Sequence, residues 1–389
     1  MTIKTSFVAS LLFAASAFAQ CGNLPSNVSL TSDSMLPDPF TFLNGTTVTT
    51  AAEFTCRQAE ISALLQRFEL GQLPPRPESV VGTLSGNTLT VQVSHGGKSI
   101  SFTVGIQMPS GTGPFPALIA FGGLSLPQPS GVAVLTFNND DIAAQNNLQS
   151  RGQGKFFTLY GANHSAGALM AWAWGVARIM DALEQVHTNI NLQRVGVTGC
   201  SRNGKGALVA GAFEPRIALT IPQESGSGGA GCWRISDAML ANGIVTQTAS
   251  EIVQENVWFS TAFNTFAQSG VDPAPFDHHM LSGLIAPRPL LIIDNTGIDW
   301  LGPESVWGCQ KTANLVWQGL GVGDRMGVSQ VGNHAHCAFP SQEQPDLDAF
   351  VNRFLKDQNA NTSIIKTDGA NGLGFVNSNW INWKVPNLS

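Results

Sequence analysis

A serine flanked by small residues in Gly199-Cys-Ser-Arg-Asn-Gly204 is the first place where this chain could do chemistry. Serine is a weak nucleophile until a base takes its proton and a carboxylate orients that base, so the reaction implied is acyl transfer by a triad. The string approaches G-x-S-x-G, the sharp turn that lifts a nucleophile from the end of a strand to the start of a helix. It departs from it at Asn203, which replaces the second glycine and is followed by Gly204. A serine that merely caps a helix would look alike over so short a span, so the partners decide.

Histidine is the usual base, and most of those present are poorly placed. His95 falls in an early hairpin, and His164, His187, His278 and His279 fall in or near helices or polar loops. His334 and His336 remain, in Gly332-Asn-His-Ala-His-Cys337 after the last predicted strand, where a triad base belongs. Cys200 precedes the serine and Cys337 follows His336, so a bridge between them would hold both reacting neighbours together. That favours His336, with His334 as a hydrogen-bonding neighbour or the alternative base. A bridge closing so long a loop contributes about 5 kcal/mol in the chain-entropy model. Glu224, Asp294 and Asp299 all satisfy the order serine, acid, histidine, and spacing does not choose among them.

The elements that must carry these residues are legible around them. Val195 and Val197 make a strand into the turn, and the small residues from Lys205 to Gly211 make a helix out of it. Ala117–Phe121, Val132–Phe137, Ile217–Ile221, Leu290–Asp294 and Val328–Val331 read as further strands, the unbroken apolar runs being those buried on both faces. Helices are expected over Thr50–Phe68, Ala166–Gln185, a stretch through Leu315, and Asp346–Leu355. Trp172 and Trp174 lie in the second of these as core residues. Val80–Met108 alternates around Gly96-Gly97 as an antiparallel lead into the sheet, preceded by a loop-rich stretch at 20–75. The sum is an α/β class chain: one α/β-hydrolase domain over residues 20–389, with a mostly parallel sheet and helices on both faces.

Bulk properties narrow the setting. Met1–Ala19 combines Lys4, an apolar run from Val8 to Phe18 and Ala17-Phe-Ala19, the pattern of a cleaved secretory leader, so a secreted, extracellular product is expected. No other run is long enough to span a membrane. Cys21, Cys56, Cys200, Cys232, Cys309 and Cys337 are an even set suited to three disulfides, and no C-x-x-C pair suggests zinc. Sequons at Asn27, Asn44, Asn163, Asn361 and Asn387 offer glycan sites. A net charge of −6 with 12% charged residues gives no footprint for nucleic acid. Gly199 to Lys205 lacks the Ser/Thr that ends a phosphate loop.

Gly199-Cys-Ser-Arg-Asn-Gly-Lys205, Glu224 and His334-Ala-His-Cys337 together resemble the fungal glucuronoyl esterases, carbohydrate esterase family 15, and the likeness runs over essentially the whole chain after the leader. The resemblance implies Ser201 as nucleophile, His336 as base and Glu224 as acid. It implies bridges Cys21–Cys56, Cys200–Cys337 and Cys232–Cys309, and no metal or organic cofactor. Arg202 matches the arginine that stabilises the oxyanion. Lys205, Gln247 and Glu255 match positions that bind the uronoyl hydroxyls, although without the resemblance they would read as a solvated helix face. Trp300 matches the sugar-contacting tryptophan, with Trp307 as the alternative. The implied substrate is an ester of 4-O-methyl-glucuronic acid joining glucuronoxylan to lignin alcohols, cleaved by a monomer. An acetyl xylan or feruloyl esterase, or a non-catalytic binding protein on the same fold, are the other readings.

Overall fold

The structure, a computed structural model, describes residues 21–22 and 24–389; the leader expected at Met1–Ala19 lies outside the described residues. Ten strands form one sheet: β1 Ser79–Ser85, β2 Thr88–His95, β3 Lys98–Gln107, β4 Phe115–Phe121, β5 Ala133–Phe137, β6 Ile190–Cys200, β7 Leu219–Gln223, β8 Leu290–Asp294, β9 Met326–Gln330 and β10 Ile365–Thr367. Their order is β1-β2-β3-β5-β4-β6-β7-β8-β9-β10. The pairs from β1 to β3 and the β3–β5 pair are antiparallel, and the rest are parallel.

The residue patterns explain the change along the sheet. In β3, Ile100, Phe102, Val104 and Ile106 are buried while their neighbours are exposed, the period of a strand with one wet face. In β4 and β8 the apolar runs are buried on both faces. Ala117, Ile119 and Phe121 join one core, which contains Trp172 and Trp174; Leu118, Leu291 and Ile293 join a second on the opposite face. The first core is covered by α1 Ala51–Leu65, α2 Ala168–Leu183 and α3 Arg202–Phe213. Further on come α4 Ala249–Glu255, α5 Pro303–Gly319 and α6 Gln344–Phe354, and α6 covers the second core with Leu347, Phe350 and Val351.

Three differences from the sequence reading have physical causes. The helix begun at Ala51 leaves α geometry at Leu65 and continues as a π-helical turn, Gln66–Leu70. The segment read as one hairpin is three strands, because Gly86 (φ 55°) makes an additional turn. β10 escaped notice because its three residues are too few and too exposed to carry a pattern.

The disulfides join Cys21 to Cys56, Cys200 to Cys337 and Cys232 to Cys309. All five sequon asparagines are exposed.

The junction of β6 and α3 is packed so closely that glycine is required. A Cβ on Gly199 would lie 2.5 Å from the Asn203 carbonyl oxygen, and one on Gly204 would lie 2.6 Å from that of Gln223. Both obstacles are backbone and cannot rotate away. Gly199→Val is therefore expected to cost about 3 kcal/mol, the upper part of the range for overpacking; a denaturant midpoint equal to that of the parent would contradict it.

Candidate active site

Ser201 sits between β6 and α3 with φ 60° and ψ −129°, a backbone that non-glycine residues avoid. Such a conformation costs about 1–3 kcal/mol and persists where its surroundings enforce it. Here the Ser201 N–H donates to the Gln223 carbonyl at 3.0 Å, and the Ser201 carbonyl accepts from the Lys205 N–H at 3.0 Å. Asn203, the departure from the glycine pattern, is accommodated by turning its side chain toward the end of β4. Its amide donates to the Phe121 carbonyl at 3.2 Å and accepts from Asn139 at 3.0 Å. The sequence reading missed that stitch, although Asn203 standing where glycine was expected was its signal.

Glu224 leaves β7 with φ 42° and no exposed surface. Its N–H is held by the Ile293 carbonyl at 2.7 Å. Its Oε2 accepts from His336 Nδ1 at 2.8 Å and from the Cys337 N–H at 2.9 Å, and Gln223 Nε2 donates to Oε1 at 3.3 Å. With Nδ1–H committed to the carboxylate, His336 Nε2 is left as the acceptor, and it has no partner among the described residues. His336 and Ser201 line the same cleft of about 510 Å³, together with Phe121–Ser125, Cys200, Arg202, Asn203 and Cys337.

The rival positions lie elsewhere. His334 Nε2 pairs with the Val331 carbonyl at 2.8 Å, Asn295 donates to the His334 carbonyl at 3.1 Å, and Nδ1 stays 3.8 Å from Glu224. Asp294 is fully buried and accepts from Gln330 at 2.8 Å; burial, with Glu224 nearby, pushes its pKa up to about 8. Asp299 is exposed. Neither aspartate hydrogen-bonds a histidine among the described residues.

Arg202 is the first residue of α3, and its side chain is exposed beside the cleft. Backbone N–H groups in a first helical turn lack intrahelical partners and carry the positive end of the dipole, so they suit a developing oxyanion. The Gly122–Ser125 loop also lines the cleft, and Ser125 Oγ is buried without a partner among the described residues. Its signal was the Gly122-Gly123 pair directly after an apolar strand.

Lys205 is not on a solvated face: it is 4% exposed, its Nζ donates to the Ser225 carbonyl at 2.6 Å and to that of Ser227, and it lies 5.9 Å from the Trp258 ring centroid. Burial pulls its pKa down to about 7, opposed by Glu255 and Asp294. Gln247 Nε2 donates to Glu255 Oε2 at 2.9 Å at the surface. Trp300 is 41% exposed and packs edge-on against His336 at 4.8 Å between centroids. Trp307 is buried beneath Lys311 and does not reach the cleft. Cys200, His336 and Cys337 bring ligand-type atoms within 4.8 Å of one another, but the two sulfurs are spent in their disulfide.

A mostly parallel sheet with a strained serine at a strand-to-helix turn beside its middle defines an α/β-hydrolase. Residues 91–321 match the sequence family described as "Glucuronyl esterase, fungi". The 4-O-methyl-glucuronoyl methylesterase of Hypocrea jecorina is 58% identical over 95% of this chain and 80% of its own length, and that of Podospora anserina is 56% identical over 95% and 78%. The solved glucuronoyl esterase catalytic domain of Hypocrea jecorina superposes with a TM-score of 0.91 at 58% identity, covering 94% of this chain and 100% of that one. A serine-to-alanine mutant of the Sporotrichum thermophile glucuronoyl esterase, in complex with methyl 4-O-methyl-β-D-glucopyranuronate, gives 0.89 at 48% identity over 95% and 100%. This chain belongs to the fungal glucuronoyl esterase family and is a carboxylic ester hydrolase.

Proposed function

We propose that this protein hydrolyses esters of 4-O-methyl-glucuronic acid, using Ser201 as nucleophile, His336 as base and Glu224 as the orienting acid. The observation that carries the reading is the Glu224 carboxylate shared between His336 Nδ1 and the Cys337 N–H, which fixes the imidazole ring, its tautomer and its loop together. His336 Nε2 takes the Ser201 proton as Oγ attacks the uronoyl carbonyl. The resulting oxyanion is received by the Arg202 N–H and guanidinium, donors of a kind worth about 3–4 kcal/mol each. The imidazolium then gives its proton to the departing alcohol, leaving an acyl-enzyme. Water, deprotonated by the same Nε2, repeats the sequence and frees the uronic acid. No metal enters any step.

Lys205, Gln247, Glu255 and Trp300 surround the sugar in this reading, and the alcohol side stays open. We further infer a single catalytic unit that works as a secreted, glycosylated monomer on the ester links between glucuronoxylan and lignin. The relative bound to a methyl glucuronate supports the acid side of that assignment. The test sets benzyl glucuronate against acetylated xylan: the expected result is turnover of the uronate ester at least about 100-fold more efficient in kcat/KM, since polar groups built for uronoyl hydroxyls are left unpaired by an acetyl group. Preference for acetylated xylan would overturn the substrate while leaving the triad in place.

A further inference from the structure

Four carboxyl groups meet behind the histidine loop, and they are not equivalent. Glu224 has the donors described above. Asp346, in the first turn of α6, receives the Ser329 hydroxyl at 2.7 Å and the Lys366 ammonium at 2.6 Å. Asp294 receives the Gln330 amide at 2.8 Å, that amide and the Asn295 backbone both acting to lower its pKa, while its Oδ1 makes no well-formed hydrogen bond among the described residues. Glu343 has less: the residue is 0% exposed, its nearest donor, the Ser329 hydroxyl, is given to Asp346, and neither of its side-chain oxygens makes a well-formed hydrogen bond among the described residues. The groups facing it are Asp294 from the end of β8, Glu224 from the end of β7, Asp346 from α6 and Ser329 from β9. No ion pair to Glu343 is found among the described residues, and Lys366 is engaged with Asp346.

Glu343 also occupies a position that matters. The loop that starts at Val331 and carries His334 and His336 ends in the 3₁₀ turn Ser341–Glu343, whose Glu343 N–H is held by the Pro340 carbonyl at 3.1 Å. A buried carboxylate without a cation and with at most one shared hydroxyl is among the costliest states a side chain can adopt, and three neighbouring carboxyls of potential negative charge make it worse. Protonation removes the charge and supplies a donor beside Asp294, whose Oδ1 has no hydrogen-bond partner among the described side chains.

We propose that Glu343 is a neutral carboxylic acid in the working protein, a positioning residue that seats the far end of the histidine loop so that Glu224 alone presents negative charge to His336. Consistent with this, burial, opposed by the Ser329 hydroxyl and reinforced by Asp294, Asp346 and Glu224, pushes the Glu343 pKa up to about 9 from an ordinary 4.5. Between those two limits the folded protein holds the proton and the unfolded chain does not. Stability then falls as pH rises through that window and levels above it. Glutamine is the permanent neutral equivalent and removes this dependence.

The inference draws on the triad reading for its activity measurement alone. Melting temperatures of the parent and Glu343→Gln are compared from pH 5 to pH 9.5. The expected result is near-coincidence at pH 5 and a gap in favour of the variant that widens by about 1.5–2 °C per pH unit. Toward benzyl glucuronate the variant keeps its turnover at pH 6 and loses less than the parent at pH 9, whereas Glu343→Ala, which also lacks the titrating carboxyl, loses turnover already at pH 6 and shows no further Glu343-dependent loss at pH 9. Melting curves that run parallel across the range, or a variant destabilised equally at every pH, would overturn the proposal. Asp294→Asn, which keeps Glu343 intact, gives an independent reading: its infrared difference spectra between pH 7 and pH 10 should lose one protonated-carboxyl band, and absence of that band at pH 7 also overturns the proposal. A parent inactive on every glucuronate ester would defeat the proposed function and leave the melting comparison decisive for Glu343.

Discussion

Ser201→Ala is expected to lower kcat toward a glucuronate ester by about 10⁴-fold or more while leaving the fold in place. The size follows from where the bond forms. Without Oγ there is no acyl-enzyme, and what survives is water attacking a carbonyl held by Arg202 and the helix start, which still gives part of the acceleration. The fold should be indifferent, because Ser201 is fixed through its backbone: its N–H and carbonyl are bonded to Gln223 and Lys205, and its positive φ is no easier for alanine. A change in unfolding free energy within about 0.5 kcal/mol is anticipated. Initial rates on benzyl glucuronate, with circular dichroism on the same preparations, check both halves. A variant that keeps a tenth of the parent rate would remove Ser201 from the mechanism.

The same residues show how far the sequence could be read. Buried strands announce themselves by composition, so β4, β6 and β8 were visible as apolar runs, and the glycines of the turn marked the serine. The two histidines after β9 were also visible, as was the chance that a Cys200–Cys337 bridge would draw one of them to the serine. Which acid completes the set was not, because Glu224 and Asp294 both end strands and differ in what surrounds them in space. Lys205 was misjudged in its bare setting: between two glycines on a helix it looks solvated, and it is buried against carbonyls that belong to the loop after Glu224. Glu343 was invisible for a related reason. Ser341-Gln-Glu-Gln-Pro reads as the polar start of a helix, and polarity in sequence carries no information on which face the fold covers.

Glu224→Gln should lower kcat by about 10³–10⁴-fold, and Asp294→Asn should change it less than about threefold; the contrast assigns the acid that spacing left open. In the proposed mechanism, the carboxylate holds the His336 proton on Nδ1, 2.8 Å away, and leaves Nε2 free to act as base. An amide can present its NH₂ to the ring, favouring the opposite tautomer, in which Nε2 carries hydrogen and cannot accept the serine proton. It also removes the charge that stabilises the imidazolium formed in each half-reaction. The Cys337 N–H can still find the amide oxygen, so the loop keeps one of its two ties and the loss should appear in kcat more than in stability. Asp294 contributes none of this. It sits at full burial with its pKa raised to about 8, bonded to Gln330, and asparagine reproduces its neutral form in shape and polarity. Rates of both variants on benzyl glucuronate at pH 6 decide the matter: equal losses would mean that the two carboxyls act as one unit, and a larger loss at Asp294 would transfer the acid role to the end of β8.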